Sequence, residues 1–418
     1  MGKGRARLAP VAGGGSSGES GGDSKPALAP AGSRVVPSTL ALLRTFFVIG
    51  LTAFGMAVMQ AVRTTPVRRG WLAQEEIDEG FGLVQLYPGA IMVDLVTYIG
   101  YRLRGIRGAV ASAFGFVLPS LVMLLVFSWA FFTYGSHPAV RDLAIGLEAL
   151  VVGVLINVTL DFGSQHAKTK TTALVALGAF AVEIAGANVL WAVLVGALAL
   201  RPKQGPGGSD SGFPSFSGRR LLLPLVPGVV VAAVGLVVVL SPGSLAAVTA
   251  DMTKIGSVAF GNGTAIMPLI EQDAISRHWL TLRQFGVGIG LGQVTPGPFL
   301  ATAAFVGYGA AGWLGGVTAG LAIYAPSVAM TMVFAEIYPF LRRLSWVPGA
   351  IRGVMASFTG LLASVVLVLG RPVIPVPAAI GLAAATFVAV RLLKWSILLV
   401  FVSGLAVWGL YLLLGGPA

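Results

Sequence analysis

The sequence predicts an all-α integral membrane protein made of two homologous halves that are inserted in opposite orientations. Three observations support this fold. The composition is strongly apolar, with 56% hydrophobic and 11% charged residues and a mean hydropathy of +0.87, whereas soluble domains carry about 25% charged residues. Apolar segments near the length of a membrane span follow one another along the chain. Short motifs of the first half recur in the second half.

The segments divide the chain into five parts. A spanning helix needs about 20 apolar residues, and on that basis we expect about 12–13 transmembrane or partly re-entrant helices. We read apolar spans near 40–62, 79–101, 108–134, 139–160, 171–186, 188–200, 221–241, 253–269, 285–308, 312–337, 347–370, 373–390 and 392–414. Those at 171–186, 188–200, 253–269 and 373–390 are short for a full span. The predicted parts are a disordered cytoplasmic tail rich in Gly, Ser and Pro at 1–36, a first repeat at 37–200, a cytoplasmic linker at 201–220, a connecting transmembrane helix at 221–245 and a second repeat at 246–418.

Seven motif blocks recur in the same order at offsets of 206 to 208 residues. Chance does not account for an ordered set of that size, so we infer an internal duplication. The pairs are Gly50–Gly55 with Gly256–Gly261, Trp71-Leu72 with Trp279-Leu280, Gln85–Gly89 with Gln293–Gly297, Gly100-Tyr101 with Gly307-Tyr308, Gly105 and Gly108 with Gly312 and Gly315, Pro119-Ser120 with Pro326-Ser327, and Val126-Phe127 with Val333-Phe334.

Segment count and charge predict the topology. Each half has about six segments and one extra segment connects them, so the second half starts on the opposite side of the membrane. With the N-terminus in the cytoplasm of a multi-pass plasma (inner) membrane protein, the predicted inside loops hold fifteen basic residues, among them Arg102, Arg104 and Arg277, and the outside loops hold five, as the positive-inside rule expects. Arg63, Arg68 and Arg69 fall on the predicted outside, either as a funnel that attracts anions or as a tolerated local exception.

The composition also excludes several function classes. The chain has no cysteine, and its three histidines, His137, His166 and His278, lack metal-ligand spacing. We therefore expect no metal site and no cofactor. No phosphate-binding loop is present, which argues against an enzyme or an ATP-driven pump. The basic residues lie between apolar segments, so a nucleic-acid partner is not expected.

Two proline-glycine breaks are the strongest functional candidates. Pro88-Gly89 and Pro296-Gly297 interrupt apolar segments, where proline removes a backbone donor and glycine lets the chain bend. Broken helices persist in a membrane where the freed backbone lines a cavity or is packed in protein. Their half-helix N-termini present free N–H groups and a positive dipole end, which suit an anion. A pair of packing kinks is the alternative.

Other candidates cluster around these breaks. Gln85 and Gln293 precede each proline by three residues and carry amides that could donate to an oxyanion, or form an interhelical contact. The Phe-Gly motifs supply flexible turns. The candidate substrate-binding residues are Phe54, Gly55, Gln60, Gln85, Pro88, Gly89, Phe260, Gly261, Asn262, Gly263, Gln293, Pro296, Gly297 and Pro298.

Asp94 is a separate candidate because it follows the first break within an apolar segment. An ionisable residue inside a span is costly and usually functional. A carboxylate opposes anion binding, so its expected role is proton or cation coupling. The alternative is an ion pair with Arg102, two turns further on.

Taken together, the motifs resemble the chromate ion transporter family in its long two-domain form, which carries a Phe-Gly-Gly-type motif and a Pro-Gly-Pro motif in each half. The resemblance covers residues of about 40 to 400. It implies a carrier that exports chromate, with sulfate as a tetrahedral dianion of similar shape, driven by the membrane potential or a proton gradient. The second half matches more closely, at Phe260–Gly263, Met267–Leu269, Trp279-Leu280, Gln293 and Pro296–Pro298.

The first half departs from the family pattern. Gly55-Met56-Ala57 and then Gln60 replace the typical Gly-Gly-Pro followed by histidine, Pro88-Gly89-Ala90 replaces Pro-Gly-Pro, and Asp94 aligns with the neutral Thr302. The leading hypothesis is a secondary transporter that exports chromate or a similar tetrahedral inorganic oxyanion. The alternative is a proton- or cation-coupled carrier for another small solute in a divergent branch. Expected partners are the oxyanion, membrane lipid and a second copy in a homodimer.

Overall fold

The computed structural model describes residues 35–53, 56–200, 243–259, 263–341 and 347–417, with residues 232, 235–236 and 240 between them. The predicted tail before Val35, the linker and most of the connecting segment lie outside the described residues. The regular elements of the described residues are helical, as predicted. They are α1 Thr39–Thr52, α2 Met56–Arg68, α3 Gln74–Leu83, α4 Ile91–Tyr134, α5 Pro138–His166, α6 Lys170–Ile184, α7 Val189–Ala199, α8 Ser244–Ser257, a 3₁₀ turn Thr264–Ile266, α9 Met267–Ser276, α10 Leu282–Val294, a 3₁₀ turn Phe299–Thr302, α11 Ala303–Ala322, α12 Ala325–Leu341, α13 Val347–Gly370, α14 Pro377–Arg391 and α15 Ile397–Leu413.

Four described segments are long and apolar enough to cross a membrane: Ile91–Tyr134, Pro138–His166, Phe299–Ile337 and Pro348–Gly370. The first has 44 residues. A straight helix of that length would measure about 66 Å, roughly twice the hydrocarbon core of a bilayer. The segment must therefore bend.

α4 turns back on itself at Gly105. This residue has φ 60° and ψ −147°, a backbone conformation that is open to glycine and strained for other residues. On either side of the turn, Gly100 and Gly108 bring their backbones into contact, since a Cβ on either would collide with the carbonyl oxygen of the other. α4 is thus a hairpin of two arms, α4a (91–103) and α4b (106–134).

α1 and α2 form a hairpin whose two ends lie on one face of the molecule. The amide of Val35, before α1, donates to the carbonyl of Gly70, after α2 (3.4 Å). The guanidinium of Arg69 donates to Thr45 Oγ1 (2.7 Å). The single span predicted at 40–62 is therefore wrong. Summed hydropathy does not distinguish a segment that crosses the membrane from one that turns back halfway.

α3 and α4a form a second hairpin from the same face. Gly80 packs against the ring of Tyr98, and Arg102 Nη2 lies 3.4 Å from Glu76 Oε1. The two helices therefore run side by side and the chain reverses in the loop between them. The span predicted at 79–101 is wrong for the same reason, because it combines both arms of a re-entrant hairpin.

We call this surface, defined by Pro37, Arg69, Arg102 and Arg104, the Arg104 face. Arg104 Nε donates to the carbonyl of Pro37 (2.8 Å), so the start of α1 and the end of α4a meet there. Arg68 and Arg69 were predicted to lie on the opposite side from Arg102 and Arg104. The structure corrects this placement, because the α1–α2 hairpin returns to its starting face. Arg68 and Arg69 are therefore no exceptions to the positive-inside rule. Arg277, which was predicted on the inside, lies instead on the opposite face, stacked over Trp279.

The second half repeats these features with equivalent contacts. α8 and α9 lie side by side, with Lys254 Nζ 2.9 Å from Asp273 Oδ2. Gly288 packs against the ring of Phe305, as the equivalent glycine of α3 packs against a tyrosine of α4a. α11 turns at Gly312, whose φ of 60° and ψ of −150° nearly equal those of the turn in α4.

The hairpins of the second half begin and end on the opposite surface. We call it the Gly309 face and define it by Phe132, Trp279, Tyr308 and Gly309. The ring of Phe132, near the end of α4b, stacks on Tyr308 with centroids 5.4 Å apart. A Cβ on Gly309 would lie 3.1 Å from the carbonyl oxygen of Trp279. α4b therefore runs from the Arg104 face to the Gly309 face.

Equivalent long helices of the two halves are antiparallel. A Cβ placed on Gly316 of α11 would lie 2.5 Å from Leu125 Cδ2 of α4b, and one placed on Gly320 would lie 2.5 Å from Leu121 Cδ1. Residue numbers thus rise along one helix as they fall along the other. Two equivalent helices that run antiparallel are related by a twofold axis perpendicular to both. Because both helices cross the membrane, this axis lies in the membrane plane. This arrangement confirms the predicted inverted repeats.

The last two helices of each half pack against the other half. Gly153 of α5 lies against the backbone of Ala383 in α14, and its equivalent, Gly360 of α13, lies against the backbone of Ala176 in α6. We call α6–α7 and α14–α15 the swapped hairpins. Each half therefore completes its packing only in the presence of the other.

The positions of the two faces can be checked by chemical labelling, because the chain has no cysteine of its own. We expect Arg68→Cys and Arg107→Cys to react with a membrane-impermeant maleimide from one side of the membrane. Ser136→Cys and Ser276→Cys are expected to react from the other. All four residues are exposed at helix ends or turns. Reaction of Arg68→Cys and Arg107→Cys from opposite sides would contradict the re-entrant hairpins.

Candidate functional site

The first Pro-Gly loop, residues 84–90, joins α3 to α4a and docks on the second repeat. The amide of Ala90 donates to Ser327 Oγ (2.9 Å). Gly89 fits so closely that a Cβ there would lie 3.1 Å from Ser327 Oγ and collide with the carboxyl group of Asp94. Ser327 lies midway along the stretch 313–341, which crosses between the two faces, so the loop sits near the middle of the molecule.

The second Pro-Gly loop, residues 295–298, makes the equivalent contact with the first repeat. Gly297 has φ 96°, and its amide donates to the carbonyl of Ala53 (3.4 Å). A Cβ on Gly297 would lie 3.1 Å from Gly50 O and 3.2 Å from Ser120 Oγ. Ser120 is the repeat equivalent of Ser327 and lies midway along α4b. The two loops therefore converge on the same central layer.

The glycine turn of the second half reaches the same place. Gly263 has φ 87°, and a Cβ on it would lie 2.9 Å from Leu300 Cδ1, just after the second loop. The second loop thus touches the turn region of the first repeat at Ala53, and the 3₁₀ turn that follows the loop touches that of the second repeat at Gly263. The remaining candidates of these turns, Phe54, Gly55, Phe260, Gly261 and Asn262, lie outside the described residues.

Helix ends give the central layer its electrostatic character. α3 and α10 end at the two loops, and α4a and the 3₁₀ turn Phe299–Thr302 begin there. The first N–H groups of a helix have no partner within it, and the N-terminus carries a partial positive charge. Backbone groups can therefore attract an anion at these positions without a buried cationic side chain.

The other predicted residues differ in their placement. Pro296 and Pro298 are buried, Pro88 and Gln293 are half-buried, and Gln60 and Gln85 are exposed. Tyr324 donates its hydroxyl to the carbonyl of Pro298 (3.2 Å) and so fixes the end of the second loop. Of the three glutamines, Gln293 is the most enclosed at the central layer.

Asp94 lies one turn into α4a and is fully buried. Its Oδ1 accepts from Thr331 Oγ1 (3.2 Å), and Oδ2 has no hydrogen-bond partner among the described residues. The ion pair with Arg102 considered from the sequence is not formed. Arg102 lies near the far end of α4a and contacts Glu76 instead, so Asp94 is left as a buried carboxyl group without a cation beside it.

Arg69 and Arg277 show that one group of basic residues is structural. Arg69 donates to Thr45 and stacks over Trp71 at 5.2 Å. Its repeat equivalent, Arg277, stacks in the same way over a tryptophan at 5.4 Å and pairs with Asp251 (2.5 Å). Because the same contacts recur on both faces, they hold the re-entrant hairpins closed, and the funnel for anions gains no support from Arg69.

Sequence reasoning missed four residues of the central layer. Ser120 and Ser327 receive the two loops, Thr331 contacts Asp94, and Tyr87 contacts Thr331 (2.8 Å). The repeated Pro-Ser pair in both halves was the available signal for the serines. No sequence signal marks Thr331, because its first-half equivalent is a leucine.

An apolar groove lies beside this layer and does not suit an anion. Its lining is aliphatic or aromatic, and its one hydroxyl, that of Tyr324, is already bonded to Pro298. The lining residues are Val93, Val110, Ala113, Phe114, Val117, Leu321, Tyr324, Ala325, Val328 and Ala329.

Comparison with known proteins agrees with this architecture. The family model for chromate transporters matches residues 40–200 and 246–410. A probable chromate transport protein of Synechococcus elongatus is 28% identical over 342 residues, which cover 79% of this chain and 84% of that protein. A chromate transport protein of Cupriavidus metallidurans is 27% identical over 346 residues, 81% of this chain and 84% of that one.

A third relative, an uncharacterized transporter of Methanocaldococcus jannaschii, is 26% identical over 340 residues, 79% of this chain and 84% of that protein. No solved structure matches the chain. The family match covers most of both repeats, including the two Pro-Gly loops and the helices on which they dock. The chain is a multi-pass membrane transporter and belongs to the chromate transporter family.

Proposed function

We propose that this protein is a secondary transporter that exports chromate or a similar tetrahedral oxyanion across the plasma membrane. The observation that carries the proposal is the convergence of the two Pro-Gly loops, each docked at the middle of a stretch of the other repeat that crosses between the two faces (106–134 and 313–341). Relatives named chromate transport proteins support the substrate class. The clustering of Arg68, Arg69, Arg102 and Arg104 on one face supports a cytoplasmic Arg104 face and N-terminus.

We place the anion at the second loop rather than the first. The second loop is followed by neutral Thr302, whereas the carboxyl group of Asp94 occupies the equivalent space beside Gly89. A carboxylate there would repel a dianion. The second loop also offers the amide of Gln293 and the half-helix N-terminus at Phe299, both without a net charge, so a bound oxyanion would be held by hydrogen bonds and dipoles.

The inverted repeats supply a route for movement. A site between repeats that are related by an axis in the membrane plane can open to either face when one repeat rocks against the other. The ends of the re-entrant hairpins lie on opposite faces in the two halves. Each hairpin is therefore placed to close the path from the central layer to its own face.

A second candidate function rests on Asp94. A buried carboxyl group without a cation beside it suits a carrier that couples a solute to a proton or another cation. Such a carrier could transport a small solute other than chromate, as in a divergent branch of the family. Uptake that depends on a cation gradient and is not reduced by chromate would favour this alternative.

Uptake of radiolabelled chromate into everted membrane vesicles tests the proposal. We expect accumulation that requires an imposed gradient and is reduced by excess sulfate. Gln293→Ala should lower the initial rate about ten-fold, which corresponds to about 1.4 kcal/mol of lost interaction. Gln165→Ala is the matched control, because Gln165 is exposed at the end of α5. Equal rates for the wild type and Gln293→Ala would exclude the second loop as the anion site.

A further inference from the structure

The surroundings of Asp94 form a polar cluster drawn from both repeats. Thr331 Oγ1 lies 3.2 Å from Asp94 Oδ1 and 2.8 Å from the hydroxyl of Tyr87. The ring of Tyr87 stacks on Phe334 of α12 with centroids 4.5 Å apart, which fixes the direction of its hydroxyl. We call Tyr87, Asp94, Ser327 and Thr331 the Asp94 cluster.

The cluster offers Asp94 too few contacts to remain charged. Thr331 provides one hydrogen bond, which it shares with the carbonyl of Ser327 (2.8 Å). Oδ2 of Asp94 lies near the hydroxyl of Ser327 but makes no hydrogen bond of normal geometry. In the described part of the chain, the ion pairs involve other carboxylates. An isolated buried carboxylate costs several kcal/mol, whereas the neutral acid avoids most of that cost.

Charged and titratable groups on the neighbouring elements are turned to other partners or to the surface. Glu336 of α12 accepts from Tyr101 (2.8 Å). Arg63 of α2 pairs with Asp78 of α3 (2.6 Å), and Glu76 of α3 pairs with an arginine at the end of α4a. The remaining ones, exposed on α1, α2 and α3, are Arg44, Arg68, Glu75 and Glu79. Tyr87 is the titratable neighbour that belongs to the cluster itself.

The packing leaves room for a proton but not for a metal ion. Even the space that a Cβ on Gly89 would occupy is already filled by Asp94 Oδ2 and Ser327 Oγ. Ser327 Oγ accepts from the amide of Ala90 (2.9 Å), which commits one of its lone pairs. A sodium ion would need several oxygen ligands around an open centre, and this geometry does not provide one.

We propose that the Asp94 cluster is the binding site of one proton, which adds to the free Oδ2 of Asp94 to give a neutral carboxylic acid. The proton then binds beside the first Pro-Gly loop, and the anion binds at the second. Because Ser327 and Thr331 belong to the second repeat, the proton site exists only while the two repeats are docked. Its coupling to transport rests on the proposed function, and its existence does not.

Infrared difference spectroscopy of the purified full-length protein tests the site directly. A buried protonated aspartic acid gives a C=O stretching band that is resolved from the amide bands. We expect this band in the wild type and its absence in Asp94→Asn. The control is Glu148→Gln, which alters another buried carboxyl group (2% exposed, in α5) and should keep the band. Spectra of the wild type and Asp94→Asn that agree at every pH would overturn the proposal. So would a band that sodium removes at constant pH.

Proton movement in proteoliposomes tests the coupling. A chromate gradient should drive protons in the wild type, while Asp94→Asn exchanges chromate without moving protons. Thr331→Val should lower the proton flux about five-fold through the lost hydrogen bond, and Thr331→Ser should restore it. Chromate exchange without proton movement in the wild type would refute the coupling alone. If the wild type shows no chromate exchange, the proposed function fails and the infrared band still decides whether the proton site exists.

Discussion

Gly360→Leu is expected to remove much or all of the stability of the fold. Gly360 of α13 lies against the backbone of the swapped α6, where an added Cβ would sit 2.7 Å from the carbonyl carbon of Ala176 and 2.9 Å from the amide nitrogen of Phe180. Backbone atoms cannot turn aside as a flexible side chain can. The leucine would therefore separate the helices, at a cost of about 4 kcal/mol or more, against a total stability of about 5–15 kcal/mol.

The yield of monodisperse protein after detergent extraction measures this effect. Gly381→Leu is the matched control, because Gly381 is also a helical glycine of the swapped region but has no heavy atom within 4 Å of its Cβ position. We expect near-normal yield from Gly381→Leu and little or none from Gly360→Leu. Similar yields from the two variants would show that the repeats are not held together at this contact.

Gly297→Ala is expected to abolish transport while leaving the protein folded. An alanine at φ 96° is strained by about 1–3 kcal/mol. Its methyl group would also press on Gly50 O at 3.1 Å and Ser120 Oγ at 3.2 Å. The loop must shift to relieve both contacts, and the half-helix N-terminus at Phe299 shifts with it. We expect the initial rate of chromate uptake to fall at least about a hundred-fold, as displacements of about 1 Å do elsewhere.

Gly70→Ala is the control that separates the effect of backbone strain from the effect of a displaced second loop. Gly70 also has a left-handed backbone (φ 65°), but nothing lies within 4 Å of its Cβ position on the Arg104 face. It should therefore lose stability and keep its rate per folded molecule. Loss of transport in both variants to the same degree would mean that backbone strain, rather than the second loop, limits the rate.

Much of the fold could be predicted because it follows from the internal duplication of the sequence. The duplication appears as motif pairs at a constant offset, and the structure repeats their contacts, as in the turns at Gly105 and Gly312. The re-entrant hairpins could not be predicted in this way. A segment such as 40–62 is apolar enough on average to span a membrane, and its reversal depends on contacts with residues that are distant in the sequence.

The candidate site likewise contains residues that a local sequence pattern marks and residues that it does not mark. Pro88-Gly89 and Pro296-Gly297 were found because a proline inside an apolar segment is locally unusual. Asp94 was found because charge is scarce in a membrane span, but its expected partner, Arg102, was wrong. A spacing of eight residues places the two side chains about 12 Å apart along the helix axis. Thr331, more than two hundred residues away, contacts Asp94 through the docking of the repeats, which no local pattern encodes.

The swapped hairpins also constrain how the chain can be made. α5 leaves the ribosome early, whereas α14 and α15, which cover it, are among the last helices to be synthesised. At about 5–20 residues per second, the roughly 200 residues between them take on the order of 10–40 s. During that interval the small-residue surface of α5 faces lipid or the insertion machinery. A nascent chain that stalls before Pro377 therefore leaves the first repeat uncovered, although every residue of that repeat has already been translated.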